Sequence, residues 1–225
     1  MKTKILFNLC AILFLMMVLL SCDPNISFEQ PQPLGVKNES SFKKKFIGKY
    51  FGIDDSSYLY IYPSYIVQEW GTFFAYRKSV FDTIRSYNIR NDSIFGSEIE
   101  KGVPFKFAND TISFVLSYMD TAFQIGDNNI LRYFKKQYFL NRKIEDKIWY
   151  VRKMYIDGSG YLVIADLSST DEIDNLKEVT EVNEIRGDSS SKIMRYSANP
   201  TKKQFKEFVK KGGFTQVNRF VKVKL

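Results

Sequence analysis

The chain contains no histidine, and its two cysteines, Cys10 and Cys22, both fall in the first tenth of the 225 residues. From residue 23 onward there is neither an imidazole nor a thiol. These absences exclude Ser-His-Asp and Cys-His catalysis, zinc sites built from Cys and His, CxxC redox chemistry and histidine general bases. Disulfides are excluded as well, so the core of the body must stand on packing. Carboxylate, lysine or tyrosine chemistry stays open, as does an oxygen-ligand site for Ca²⁺ or Mg²⁺. Long apolar runs are also scarce: Ile5 to Leu20 is the one candidate, sixteen residues interrupted by Asn8. At ~1.5 Å per residue such a run covers roughly 24 Å, short of the ~30 Å hydrocarbon core of a bilayer. With Lys2 and Lys4 in front of it, the segment reads as a secretory signal peptide and not as a transmembrane helix.

The run ends in Leu19-Leu20-Ser21-Cys22, which resembles the lipobox of bacterial lipoproteins. The resemblance implies cleavage before Cys22, a diacylglycerol on its sulfur and acylation of the new amino group. The alternative is a chance cysteine behind an ordinary signal. One acyl chain binds membranes marginally, and each buried CH₂ contributes ~0.8 kcal/mol, so several chains make release negligible. In Bacteroidota lipoproteins an acidic cluster after the cysteine accompanies surface export. Here only Asp23 precedes Glu29, which points to the periplasmic face of the outer membrane. Asp23 to Glu39 carries Pro24, Pro31 and Pro33 with little apolar periodicity, the composition of a flexible tether reaching roughly 20–25 Å. The expected organisation is a signal over 1–21, a lipid-anchored tether over 22–39 and a single β-rich domain over 40–225. A change of character is expected near residue 167.

Within the body, short apolar-aromatic runs recur between polar turns, the pattern of antiparallel β-structure. Strands are predicted over Tyr58 to Tyr62, Tyr65 to Glu69, Phe73 to Lys78, Val80 to Ile84, Ser86 to Ile89, Thr111 to Tyr118, Thr121 to Ile125, Asn129 to Phe134 and Gln137 to Asn141. Asp157-Gly158-Ser159-Gly160 marks a hairpin between Ile148–Ile156 and Tyr161–Asp166. Ser169-Thr170-Asp171-Glu172 and Pro200-Thr201 open helices, the second with Phe205, Phe208 and Val209 on one stripe and Gly212-Gly213 behind it. Further strands are predicted over Val179 to Arg186, Lys192 to Ser197 and Val217 to Leu225. The fold class is α+β, mostly β: an antiparallel meander sheet or half-barrel with one or two C-terminal helices. Gly48-Lys49-Tyr50 bears a slight resemblance to the Gly-x-Trp of lipocalins, which would imply a small-ligand carrier.

Formal charge is +8, or +6 without Lys2 and Lys4. Between Thr201 and Leu225 eight lysines and arginines, Lys202, Lys203, Lys206 and Lys210 among them, face Glu207 alone. An exported chain does not meet the genome, so a basic face toward anionic headgroups, glycans or an acidic partner is the functional reading, and a solvated helix face the plain one. Asp82-Thr83-Ile84, Asp92-Ser93-Ile94, Asp110-Thr111-Ile112 and Asp120-Thr121-Ala122 resemble the Asp-Ser/Thr-apolar motif of Bacteroidota O-glycosylation. The resemblance implies acceptors at Thr83, Ser93, Thr111 and Thr121, although Asp-Ser/Thr also suits a turn entering a strand. The carboxylates Asp54-Asp55, Glu98/Glu100, Asp157 and Asp171-Glu172-Asp174 sit where turns and helix starts want acidic residues. Alternation puts Tyr58, Tyr60 and Tyr62 on one strand face, a ladder that could stack on sugar or a partner. No catalytic residue, metal ligand or cofactor is assigned. The expected function is a lipid-anchored, non-enzymatic envelope protein that binds a macromolecule or glycan. A lipocalin-like carrier and a carboxylate-dependent enzyme are the alternatives.

Overall fold

The computed structural model describes residues 25–97, 99–186 and 193–224. Its elements are β1 (Asn25–Phe28), β2 (Asn38–Glu39), β3 (Gly48–Gly52), β4 (Tyr58–Ile61), β5 (Tyr65–Arg77), α1 (Lys78–Phe81), β6 (Tyr87–Arg90), β7 (Ser93–Gly96), β8 (Ile99–Ala108) and β9 (Thr111–Gln124). They continue as β10 (Asn129–Phe134), β11 (Gln137–Glu145), β12 (Ile148–Ile156), β13 (Leu162–Asp166), α2 (Thr170–Lys177), β14 (Val182–Arg186), β15 (Ile193–Ala198), α3 (Lys202–Lys210) and β16 (Gln216–Lys222). Strand accounts for 55% and helix for 13%, and the sheet does not close, so the chain is α+β and mostly β.

The chain divides into two compact units. The first holds 25–37, 141–153 and 165–217, and the second 38–140, 154–164 and 218–225. The change of character expected near residue 167 lies beside one crossing. The first unit is nevertheless not a C-terminal subdomain, because it also recruits the segment read as a tether.

In the first unit β1 runs parallel to β15, with Asn25 opposite Arg195 and Phe28 opposite Ala198, and β14 flanks β15 antiparallel. Ile26 and Phe28 are buried. Gln32 and Asn141 exchange backbone and side-chain amides: Gln32 N–H donates to Asn141 Oδ1, and Asn141 Nδ2 donates to Gln32 O at 2.9 Å. Residues 25–39 therefore do not form a free tether. Ile26 and Phe28 gain a core by pairing with a strand about 170 positions away, which local composition cannot report. Above β1, α3 starts at a capping box in which Thr201 Oγ1 accepts from Gln204 N and Gln204 returns the bond. Phe205 and Phe208 are fully buried against Phe28 and Phe214. Gly212, at φ +97°, ends the helix in a conformation that glycine adopts without strain.

In the second unit the strands run β16-β3-β4-β5-β9-β8-β7-β6, leaving β6 as an edge. Two apolar clusters fill it. The larger holds fourteen buried residues, among them Phe46, Tyr50, Leu59, Ile66, Phe123 and Tyr138. The smaller packs Phe81, Ile94, Ile99, Ile112, Phe114 and Leu116 under β6–β9. One ladder joins them: β5 and β9 pair from Tyr65–Gln124 to Arg77–Thr111, with one bulge between Ile66 and Val67, where Ala122 is passed over. The predicted break near Gly71 is absent. Glycine there is a packing device, since a Cβ would come within 2.8 Å of Val115 Cγ1. The strand predicted over Val80–Ile84 is instead the helical turn α1 with a following turn. Lys78 and Asp82 pair at 2.7 Å across that turn, and the bend delivers Phe81 to Tyr87 and Phe114.

Candidate functional site

Strand alternation divides β4, β5 and β9 into a core face and an outer face. Leu59 and Ile61 of β4 are buried, so Tyr58 and Tyr60 point outward, as their spacing predicts. The register extends the ladder across the second unit. One row runs Val221–Phe51–Tyr58–Glu69–Met119, and the next runs Lys49–Tyr60–Val67–Thr121. Further along the same face Phe73 lies opposite Val115.

The tyrosine end of this face is internally wired. Tyr60 Oη donates to Glu69 Oε2 at 2.6 Å, and this bond, followed by burial, raises the Tyr60 pKa. The Lys49 ammonium lies 4.1 Å over the Tyr58 ring and 5.1 Å over that of Tyr60. Its own pKa is raised, first by hydrogen bonding to Tyr60. Tyr58 also meets Phe51 at 5.3 Å. Tyr62 stacks on Tyr65 at 4.5 Å beyond the strand end. Tyr58 and Tyr60 are thus half-buried in cross-strand contacts and support the face more than they present it.

The apolar groups open to solvent lie elsewhere on it. Phe73 is 66% exposed, Met119 62% and Val115 47%. Single exposed apolar residues are ordinary, but here Phe73 and Val115 form a cross-strand pair and Met119 follows on the same face beyond Gly71 and Ser117. Apolar groups gathered on one sheet face mark an interaction surface. The alternation of β5 and β9 alone cannot flag these three, because Phe, Val and Met in such a pattern read as core. On the opposite face Trp70 and Tyr118 stack at 6.1 Å, both over one-third exposed. Tyr118 there lines a groove of about 380 Å³ with Ile99, Lys101, Val103 and Leu116.

The other sequence candidates scatter. Cys22 and its signal lie outside the described residues, as does Glu98. Thr83 is exposed, with its hydroxyl donating to Val80 O at 2.7 Å. Thr121 is exposed mid-strand, its N–H on Asp120 Oδ1 at 2.7 Å, while Ser93 and Thr111 are half-buried at strand starts. Asn91-Asp92 and Asn109-Asp110 all have φ between +46° and +60°. They are the paired left-handed positions of two-residue hairpin turns, which accounts for two of the four motifs on folding grounds. On α3, Lys210 pairs with Glu207 at 3.2 Å, and Lys203 is exposed. The hydrogen bond from Lys210, with the charges of Lys206 and Lys203, lowers the Glu207 pKa.

The carboxylates are occupied by the backbone. Asp55 Oδ1 accepts from Ser57 N at 2.9 Å, and Asp157 Oδ1 from Ser159 N and Tyr161 N at 2.9 and 3.0 Å. Sequence reasoning missed the burial of Glu172. Its carboxylate accepts from the backbone of Ser168, Ser169 and Thr215 and from Thr215 Oγ1, tying α2 to the segment after Gly213. Lys153 is also buried in that unit, reaching Gly213 O at 3.4 Å; burial lowers its pKa, and the charge of Glu172 partly opposes this. The capping box Ser169–Glu172 was visible in the sequence, but the contact with Thr215, 43 residues on, was not. Among the described residues no three His, Cys, Asp or Glu side chains converge as a metal site requires, and no helix is long and apolar enough to cross a membrane. Comparison with protein-family models, curated proteins and solved structures finds no match.

Proposed function

We propose that this chain is a lipid-anchored protein of the bacterial cell envelope that works by binding and not by catalysis. Its binding surface is the outer face of β5 and β9. The observation that carries the reading is the group Phe73, Val115 and Met119, apolar and open to solvent on one side of a ladder whose opposite side feeds two packed clusters. An envelope protein partner would bury Phe73 and Val115 at the centre of an interface and Met119 toward its edge, where Glu69, Tyr60 and Lys49 form the polar rim. The carrier alternative loses ground because Tyr50, Tyr138, Phe46 and their neighbours fill the core side of the sheet, where a ligand would have to sit. The enzyme alternative loses ground because the carboxylates named above cap turns and a helix on separate elements.

A photo-reactive amino acid at Phe73, in cells making the full chain, tests the reading. Discrete crosslinked species are expected from position 73 and not from exposed position Asp127. Equal, diffuse labelling at both positions would overturn it. A glycan ligand is the second reading, favoured by the Trp70–Tyr118 stack beside its groove, since exposed aromatic rings pack on apolar faces of sugars. Binding to immobilised envelope polysaccharide that Tyr118→Ala abolishes and Phe73→Asp spares would establish this reading instead.

A further inference from the structure

β1 begins at Asn25, three residues after Cys22. Three residues span at most about 11 Å when fully extended. If Cys22 carries the acyl chains, as the proposed function holds, the start of β1 cannot stand further than this from the lipid headgroups. We infer that the body is not suspended on a tether but held against the bilayer, with the end of the β14-β15-β1 sheet as its contact surface and the headgroup layer as its occupant.

The residues at that end fit the surface. Asn25 lies beside Arg195, and Arg195 lies beside Ile185 on the next strand. A register shift between Ile185 and Arg186 places Met194 at a bulge, where it is 63% exposed; Ile185 is 38% exposed. Arg186 follows, paired with Glu184 at 2.7 Å. Exposed aliphatic side chains next to guanidinium groups suit an interface whose outer layer is phosphate and whose inner layer is hydrocarbon. The basic helix α3 is the rival contact. It starts after Ala198, which pairs with Phe28 at the opposite end of β1, roughly 10 Å along the strand from Asn25 at ~3.3 Å per residue. A link as short as Asp23-Pro24 therefore favours the Asn25 end.

The full acylated chain in phosphatidylethanolamine–phosphatidylglycerol vesicles gives a direct test. Acylated Cys22 offers no thiol, so a fluorophore attached at Met194→Cys or at Lys203→Cys is the only one present. With nitroxide on the headgroups, quenching at 194 is expected to exceed quenching at 203 at least twofold. Twelve Gly/Ser residues inserted between Pro24 and Asn25 add roughly 20 Å of reach and are expected to abolish that difference. Equal quenching at both sites without the insertion, or stronger quenching at 203, would overturn the inference. Fatty-acid labelling of Cys22 is measured on the same samples. Its absence would overturn the anchor reading and this inference with it, whereas labelling with equal quenching would overturn the inference alone.

Discussion

The two clusters of the second unit share the β5–β9 ladder but are built differently. The larger takes side chains from nine strands and from the 3₁₀ turn Lys44–Phe46, so that Phe46, Leu131 and Tyr138 have no exposed surface. The smaller has six buried residues under four strands and one helical turn, and it leans on half-buried Phe74, Tyr76, Tyr87 and Phe105. Cooperative stability follows buried contact, so the smaller cluster opens more easily while the larger sets the global transition. On the outer face of the shared ladder β5 and β9 expose Phe73 and Val115, behind the smaller cluster, and Met119, further along β9 toward the larger one. The apolar side chains left in water therefore point away from both packed regions, on the face that folding does not cover.

Phe46→Ala should have the largest effect. Truncating a fully buried ring costs about 3–5 kcal/mol, a large share of a typical domain's stability. Chemical denaturation should show the midpoint of the main transition falling sharply. Phe114→Ala removes a ring that meets Phe74, Phe81 and Tyr87. It should cost about 3 kcal/mol locally. Hydrogen exchange should then quicken in β6–β8 while β3, β4 and β12 keep their protection; a uniform change along the chain would show that the clusters are not separable.

The next prediction concerns the larger cluster alone. Tyr50 is buried with its hydroxyl donating to Phe46 O at 2.9 Å, and burial pushes its pKa up to about 12. Above pH 10 the unfolded chain ionises this phenol while the folded chain keeps it neutral. The contribution is fully present below pH 10 and is lost as pH rises through about 12. Two pKa units correspond to about 2–3 kcal/mol. Tyr50→Phe should flatten that alkaline fall, and an unchanged slope between pH 10 and 12 would show that Tyr50 is not its source.

Local chemistry was legible in the sequence. The Asp157-Gly158-Ser159-Gly160 turn, the capping residues Ser169 and Thr201 and the outward Tyr58–Tyr60 alternation each depend on neighbours within a few positions. What failed depends on distant partners. β1 exists because β15 offers it an edge, β5 is continuous because Gly71 lets Val115 lie close, and Glu172 is buried because Thr215 comes to it. The candidate site was legible by half. The tyrosines were found, but solvent around Phe73, Val115 and Met119 follows from which face of β5 and β9 the clusters cover, and that is set by tertiary packing.

The most direct test of the binding claim puts Met119→Lys into the chain carrying the photo-reactive group at position 73. Met119 is 62% exposed and lies opposite Glu69, so a lysine there meets an opposite charge and should move stability by no more than about 0.5 kcal/mol. A charge at the end of β9's exposed apolar row should nevertheless abolish the discrete crosslink. The account predicts an unchanged melting temperature with the crosslink gone; a crosslink that persists at full yield in this folded variant would contradict it.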